Sequence, residues 1–229
     1  MEALIAILVF LAVAAGALYA YFQENKRTTE LEAFARRMGF SFSRGKDSSA
    51  DERFARFGLF KRGHSRRAWN VMRGMVERAG REMEIELGDF RYTVGSGKEK
   101  RTYRFSYLVG VNPIGSCPET IVRREGVFDQ LKGVLGFDDI DFESDEFSRR
   151  YHVSSDEKRF AYDLIDQRMM EFVMATSPPA FELDGHLICV SNGRSRWRVE
   201  EFQQWVDWLG DFFATWPDHL ARSIDEQSS

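Results

Sequence analysis

Apolar and polar positions alternate with three different periods along this chain, and each period predicts a different element. From Ala3 to Phe22 twenty consecutive residues carry no charge and no proline. At about 1.5 Å of rise per residue, a helix of that length spans about 30 Å, the thickness of a bilayer's hydrocarbon core. Backbone polar groups in lipid must satisfy one another, so such a run is read as a transmembrane helix. Beyond it, Thr29-Glu30-Leu31-Glu32 matches the capping-box pattern, and Leu31, Phe34, Ala35 and Met38 recur at helical spacing up to Gly39. That helix either starts at Thr29 or continues directly from the apolar run.

The middle of the chain changes to a period of two. Met83, Ile85 and Leu87 alternate with Glu82, Glu84 and Glu86, which predicts a strand with one wet face. Phe90, Tyr92 and Val94 continue with shifted parity, so Gly88-Asp89 reads as a β-bulge or sharp bend that restores the apolar face to the same side. Tyr103, Phe105, Tyr107 and Val109 form the next strand, joined by a hairpin loop from Gly95 to Arg101. Segments around Trp69-Asn70-Val71 and Thr120-Ile121-Val122 add further strands.

The last third alternates helix and strand. Phe128, Leu131 and Leu135 mark a short helix ending at Gly136. Phe160, Ala161, Leu164, Ile165, Met169, Phe172 and Val173 trace one helical face that Pro178-Pro179 closes. Phe181 to Val190 is a hairpin turning at Asp184-Gly185. The final helix carries Phe202, Trp205, Val206, Leu209, Phe212, Phe213 and Trp216 on one stripe, with Trp208 about 100° off it and read as peripheral. The fold class is therefore α+β: one transmembrane helix, then a mainly antiparallel sheet flanked by helices. Its divisions are an anchor (1–22), one domain (23–222) and a frayed polar tail (223–229).

The apolar run differs from a secretory signal peptide, which needs a basic leader and an apolar stretch of about 7–15 residues. No Lys or Arg precedes the run, and Tyr19, Tyr21 and Phe22 crowd its exit, where aromatic rings suit the membrane interface. Lys26, Arg27, Arg36 and Arg37 follow it. Cations are retained in the cytoplasm, so the expected placement is the bacterial inner membrane, N-terminus outside and domain cytoplasmic. Two cysteines, Cys117 and Cys189, make no disulfide framework.

Charge and chemistry narrow the function classes. The chain has 32 Lys+Arg and 36 Asp+Glu; with Glu2 the only charge before position 23, the remainder holds 32 and 35, a net of −3. Nucleic acid, which calls for a strongly basic face, is not an expected partner. Gly95-Ser96-Gly97-Lys98 departs from a phosphate loop at Tyr92 and Glu99. Asp138, Asp139, Asp141 and Glu143 alternate with Ile140 and Phe142, which reads as a half-exposed strand rather than a cation site. His64, His152, His186 and His219 are dispersed; a Cys189–His152 or Cys117–His64 pair would have to form in space. No catalytic, cofactor-binding or metal-binding residue is assigned, and no cofactor is expected. The basic run Lys61, Arg62, Arg66 and Arg67 is the candidate contact for anionic lipid headgroups, since clustered cations are drawn to them by about 1 kcal/mol each.

The stretches FSRRYHVSSDEKRFAYDLI (147–165) and FELDGHLICV (181–190), with FGLFKRGHSRRAWNVMRG (57–74) and DFRYTVGSGK (89–98), resemble a group of uncharacterised bacterial single-pass membrane proteins. The resemblance implies one N-terminal membrane helix and a cytoplasmic α+β domain, with no activity to carry over. The expected function is a membrane-anchored interaction or scaffold module with a protein partner. A membrane-tethered hydrolase or transferase built from dispersed residues is the alternative, and a lipid-headgroup-binding adaptor a distant one.

Overall fold

The apolar run and the amphipathic segment after it form one helix. The structure is a computed structural model that describes residues 1–78, 80–124 and 140–227. Helix α1 runs Glu2–Met38 without interruption and is long and apolar enough to cross a membrane. Thr28 and Thr29 do not cap a new helix; their hydroxyls donate to the Glu24 and Asn25 carbonyls one turn back. Of the two readings of this junction, direct continuation from the apolar run is the one observed. Gly39 ends the helix at φ 72°, with its N–H and that of Phe40 donating to the Arg36 and Ala35 carbonyls.

Among the described residues eight strands follow: β1 Ser41–Ser43, β2 His64–Arg78, β3 Arg81–Val94, β4 Arg101–Val111, β5 Cys117–Arg124, β6 Tyr151–Ser155, β7 Phe181–Gly185 and β8 Leu187–Val190. They form one sheet in the order β1-β2-β3-β4-β8-β7-β5-β6, with antiparallel neighbours throughout. The α+β reading and the two hairpins are observed, but the second turns one residue later than expected: Asp184 pairs with Leu187, so Gly185-His186 makes the turn, with Gly185 at φ 58°. The described residues also form helices α2 (Ala50–Arg53), α3 (Asp145–Arg150), α4 (Lys158–Leu164), α5 (Gln167–Thr176), α6 (Val199–Thr215) and α7 (Asp218–Gln227).

The sheet is covered on both faces, and this corrects the reading of Gly88-Asp89. On β3, Met83, Ile85 and Leu87 join the larger apolar layer with α1 and α6, whereas Phe90 and Tyr92 join a second layer with Phe54, Phe57 and Phe60. β3 pairs with β4 in unbroken register through Gly88 and Asp89. The parity shift marks a strand that changes its buried face, not a bulge. The irregularity lies on β2, where Asn70 and Val71 oppose Gly88 alone and Asn70 takes φ 52°.

Three further expectations are corrected. Trp208 is buried, stacked between Phe172 and Phe212, because α5 forms a second cover over α6. The 160–173 face belongs to two helices, since Asp166 caps α5 by accepting from the Met169 N–H. Asp141 and Glu143 lie in an irregular segment rather than a strand, while Asp138 and Asp139 fall outside the described residues. So does the helix expected around Phe128, Leu131 and Leu135. Beyond Pro217 the chain continues into α7, which takes up part of the polar tail.

Candidate functional site

Strand alternation puts Asp89 and Arg91 on the face of β3 that α1 covers, and the register adds Arg67 and Trp69 of β2 and Arg104 and Ser106 of β4. Arg27, reaching from α1, meets Asp89 in a fork: Nε to Oδ2 at 2.9 Å and one terminal nitrogen to Oδ1 at 2.6 Å. The other terminal nitrogen donates to the Trp197 carbonyl at 2.6 Å. Ser106 Oγ donates to Asp89 Oδ1 at 2.7 Å and accepts from the Trp197 N–H, and Asn70 Nδ2 donates to Oδ2 at 3.3 Å. Asp89 has no exposed surface, so this carboxylate is answered wholly by protein donors. The hub ties the helix to three strands and to the segment leading into α6.

Next to it, toward the apolar end of α1, opens a cleft of about 460 Å³. Ala20, Tyr21, Glu24 and Thr28 form its helical wall, and Trp69 and Asn70 part of its floor. Five cations line it: Arg44, Lys46, Arg67, Arg91 and Arg104. The last three form a cross-strand row, Arg67 opposite Arg91 and Arg91 opposite Arg104. Like charges placed directly opposite destabilise a sheet. Burial first, then the charges of Arg67 and Arg104, lower the pKa of Arg91. Its Nε is buried and has no hydrogen-bond partner among the described residues. Arg44 bonds Glu32 at an exposed pair.

Acceptors in the cleft are few. Glu24 is held by Arg196 at 2.7 Å and by the Trp69 indole N–H at 3.0 Å. Burial alone would raise its pKa, but those donors and the nearby charges of Arg196 and Arg27 bring it below the ordinary value. Asn70 Oδ1 is buried and unpartnered among the described residues. A carboxylate can only accept, so the Asn70 nitrogen must face Asp89 and the oxygen is left pointing elsewhere.

The four residues of the basic run part company here. Arg67 enters the cleft. Arg66, its neighbour on an alternating strand, points to the other face and bonds Asp51 at 2.7 Å. Arg62 lies beside the Tyr92 hydroxyl, and Lys61 acts on Glu119 and Glu182 through its charge alone. Arg44, Lys46, Arg91 and Arg104 were missed. A readable signal existed for two of them: a hairpin centred between Gly97 and Lys98 sets Arg91 opposite Arg104.

Two carboxylates on the opposite sheet face meet contrasting surroundings. Glu86 is answered by Arg53, Arg73 and the Tyr107 hydroxyl. Glu182 is buried with an Oε1 unpartnered among the described residues, and burial, reinforced by Glu119 and Asp184, pushes its carboxyl up to about 8. Both thiols are buried and raised, Cys117 to about 12. Cys117 bonds Asn112 and the Gly185 carbonyl, while His64 bonds Ser65 and the Gly95 carbonyl, so those two do not pair.

No family model matches the chain, and no curated protein sequence matches it. Among solved structures, the crystal structure of the mycobacterial trehalose monomycolate transport factor A, TtfA, is similar with a TM-score of 0.49 and 14% identity, over 83% of this chain and 96% of that one.

Proposed function

We propose that this chain is a membrane-anchored interaction or scaffold module, with residues 3–22 in the bacterial inner membrane, the N-terminus outside and the α+β domain in the cytoplasm. The observation that carries the reading is the unbroken α1, apolar and unburied at one end and pinned to the sheet by Arg27 and Asp89 at the other. A flexible tether lets a domain roam, whereas a helix with no joint holds its domain at one height above the bilayer. That stiffness suits a protein whose task is to present a surface to a partner. Lys26, Arg27, Arg36 and Arg37 after the span support the cytoplasmic placement. Burial raises both cysteine thiols, which disfavours the thiolate that a hydrolase or transferase reading would draw on.

Membrane fractions washed with alkaline carbonate should retain the chain. A C-terminal alkaline phosphatase fusion should be inactive and a fluorescent-protein fusion bright. In-cell cross-linking should capture the same partner when residues 3–22 are replaced by an unrelated apolar span, and lose it when a Gly/Ser insert breaks the helix after Phe22. Release by carbonate, or the reverse pair of fusion results, overturns the proposal.

A further inference from the structure

We infer that the cleft between α1 and the arginine row is a binding site for a phosphate-class anion, supplied by a lipid headgroup. The inference rests on the membrane-anchor reading for the source of the anion, but the site itself stands on geometry. Arg67, Arg91 and Arg104 are brought into direct register on three neighbouring strands, with no carboxylate paired to any of them among the described residues. Guanidinium groups lining one cleft, whose carboxylate Glu24 is already held by Arg196 and Trp69, match the oxygens of a phosphate, which accepts several N–H donors at once. The buried, unpartnered Arg91 Nε supplies a donor already stripped of water.

Position selects the source. The cleft's helical wall begins at Ala20 and Tyr21, inside the apolar run, and ends at Thr28. From Phe22 to Thr28 is about 9 Å along a helix. The polar layer on each side of a bilayer is about 5–8 Å deep. A span seated in the membrane therefore brings the arginine row to the depth of the phosphates. A headgroup that also carries hydroxyls, such as phosphatidylglycerol, offers a donor to Asn70 Oδ1.

The test uses the full chain in nanodiscs of phosphatidylcholine, with or without phosphatidylglycerol, and a second arm in which inorganic phosphate is added to phosphatidylcholine discs. Melting temperature and native mass spectrometry of retained lipid are the readouts. Wild type should melt about 5 °C higher or more with phosphatidylglycerol at saturation and keep at least one such lipid. Arg91→Gln, which relieves repulsion and so folds without the ligand, should lose the shift and retain at least tenfold less lipid. Arg66→Gln, outside the cleft, should behave as wild type. A shift with inorganic phosphate but not with phosphatidylglycerol upholds the anion site and overturns its lipid source. No shift in either arm, or an unchanged response in Arg91→Gln, overturns the site. Failure of the chain to enter discs refutes the anchor alone, and the inorganic-phosphate arm run in detergent still decides the cleft.

Discussion

Asp89 and Arg91 are two residues apart on the same face of β3, and their charges meet opposite surroundings. Asp89 is fully buried and receives Arg27, Ser106 and Asn70 as donors. Arg91 is flanked by Arg67 and Arg104, and its Nε meets no acceptor among the described residues. The first arrangement makes a joint and the second a vacancy in charge. A buried charge that is answered holds structure together; one that is left over stores a demand for something from outside.

The largest expected effect comes from taking the answer away. Asp89→Asn leaves Arg27 facing a neutral amide in a buried site and should cost about 3–5 kcal/mol in denaturant melts of the full chain. A loss under about 1 kcal/mol would mean the fork is solvated and the contrast with Arg91 is false. Glu182 extends the comparison to an unanswered acid. The unfolded chain loses that proton near 4.5 and the folded protein near 8, so stability falls as pH rises between those values and levels off above. Glu182→Gln should therefore be near neutral at pH 4.5 and stabilise by about 2–4 kcal/mol at pH 8.5. An effect independent of pH would put the carboxyl in water.

Smaller effects sharpen the cationic side. Arg91→Gln should raise stability by about 0.5–1 kcal/mol in the absence of anionic lipid, less at high salt, because it removes two like-charge neighbours. A clear destabilisation would show that the row is satisfied in a way the geometry does not suggest. Breaking the exposed Arg44–Glu32 pair should change stability by no more than about 0.5 kcal/mol.

The sequence reading succeeded where one local period decides an element. The stripe of α6 needs only 3.6-residue spacing, and the two hairpins need only alternation and turn residues, which place the second turn to within one residue of Gly185-His186. It failed where a second layer intervenes. Trp208 stands off the stripe, yet Phe172 from α5 covers it. Gly88-Asp89 mimicked a bulge because β3 serves two apolar layers in turn. The basic run looked like one patch because clustering in sequence was read as clustering in space, although a strand sends Arg66 and Arg67 to opposite faces. The arginine row was hidden for the converse reason: its members lie far apart in the chain and meet through register.

The absence of a joint in α1 also fixes an angle. Residues 3–22 and Arg27 share one helical phase, so every residue added between them turns the sheet by about 100° about the helix axis and moves it by about 1.5 Å. Tilt or rotation of the apolar end is passed to the sheet as through a stiff shaft, with Arg27 and Asp89 as the key. Inserting one alanine after Gln23 should thus misdirect the domain, whereas inserting seven, close to two full turns, should bring it back to nearly its original bearing at greater height.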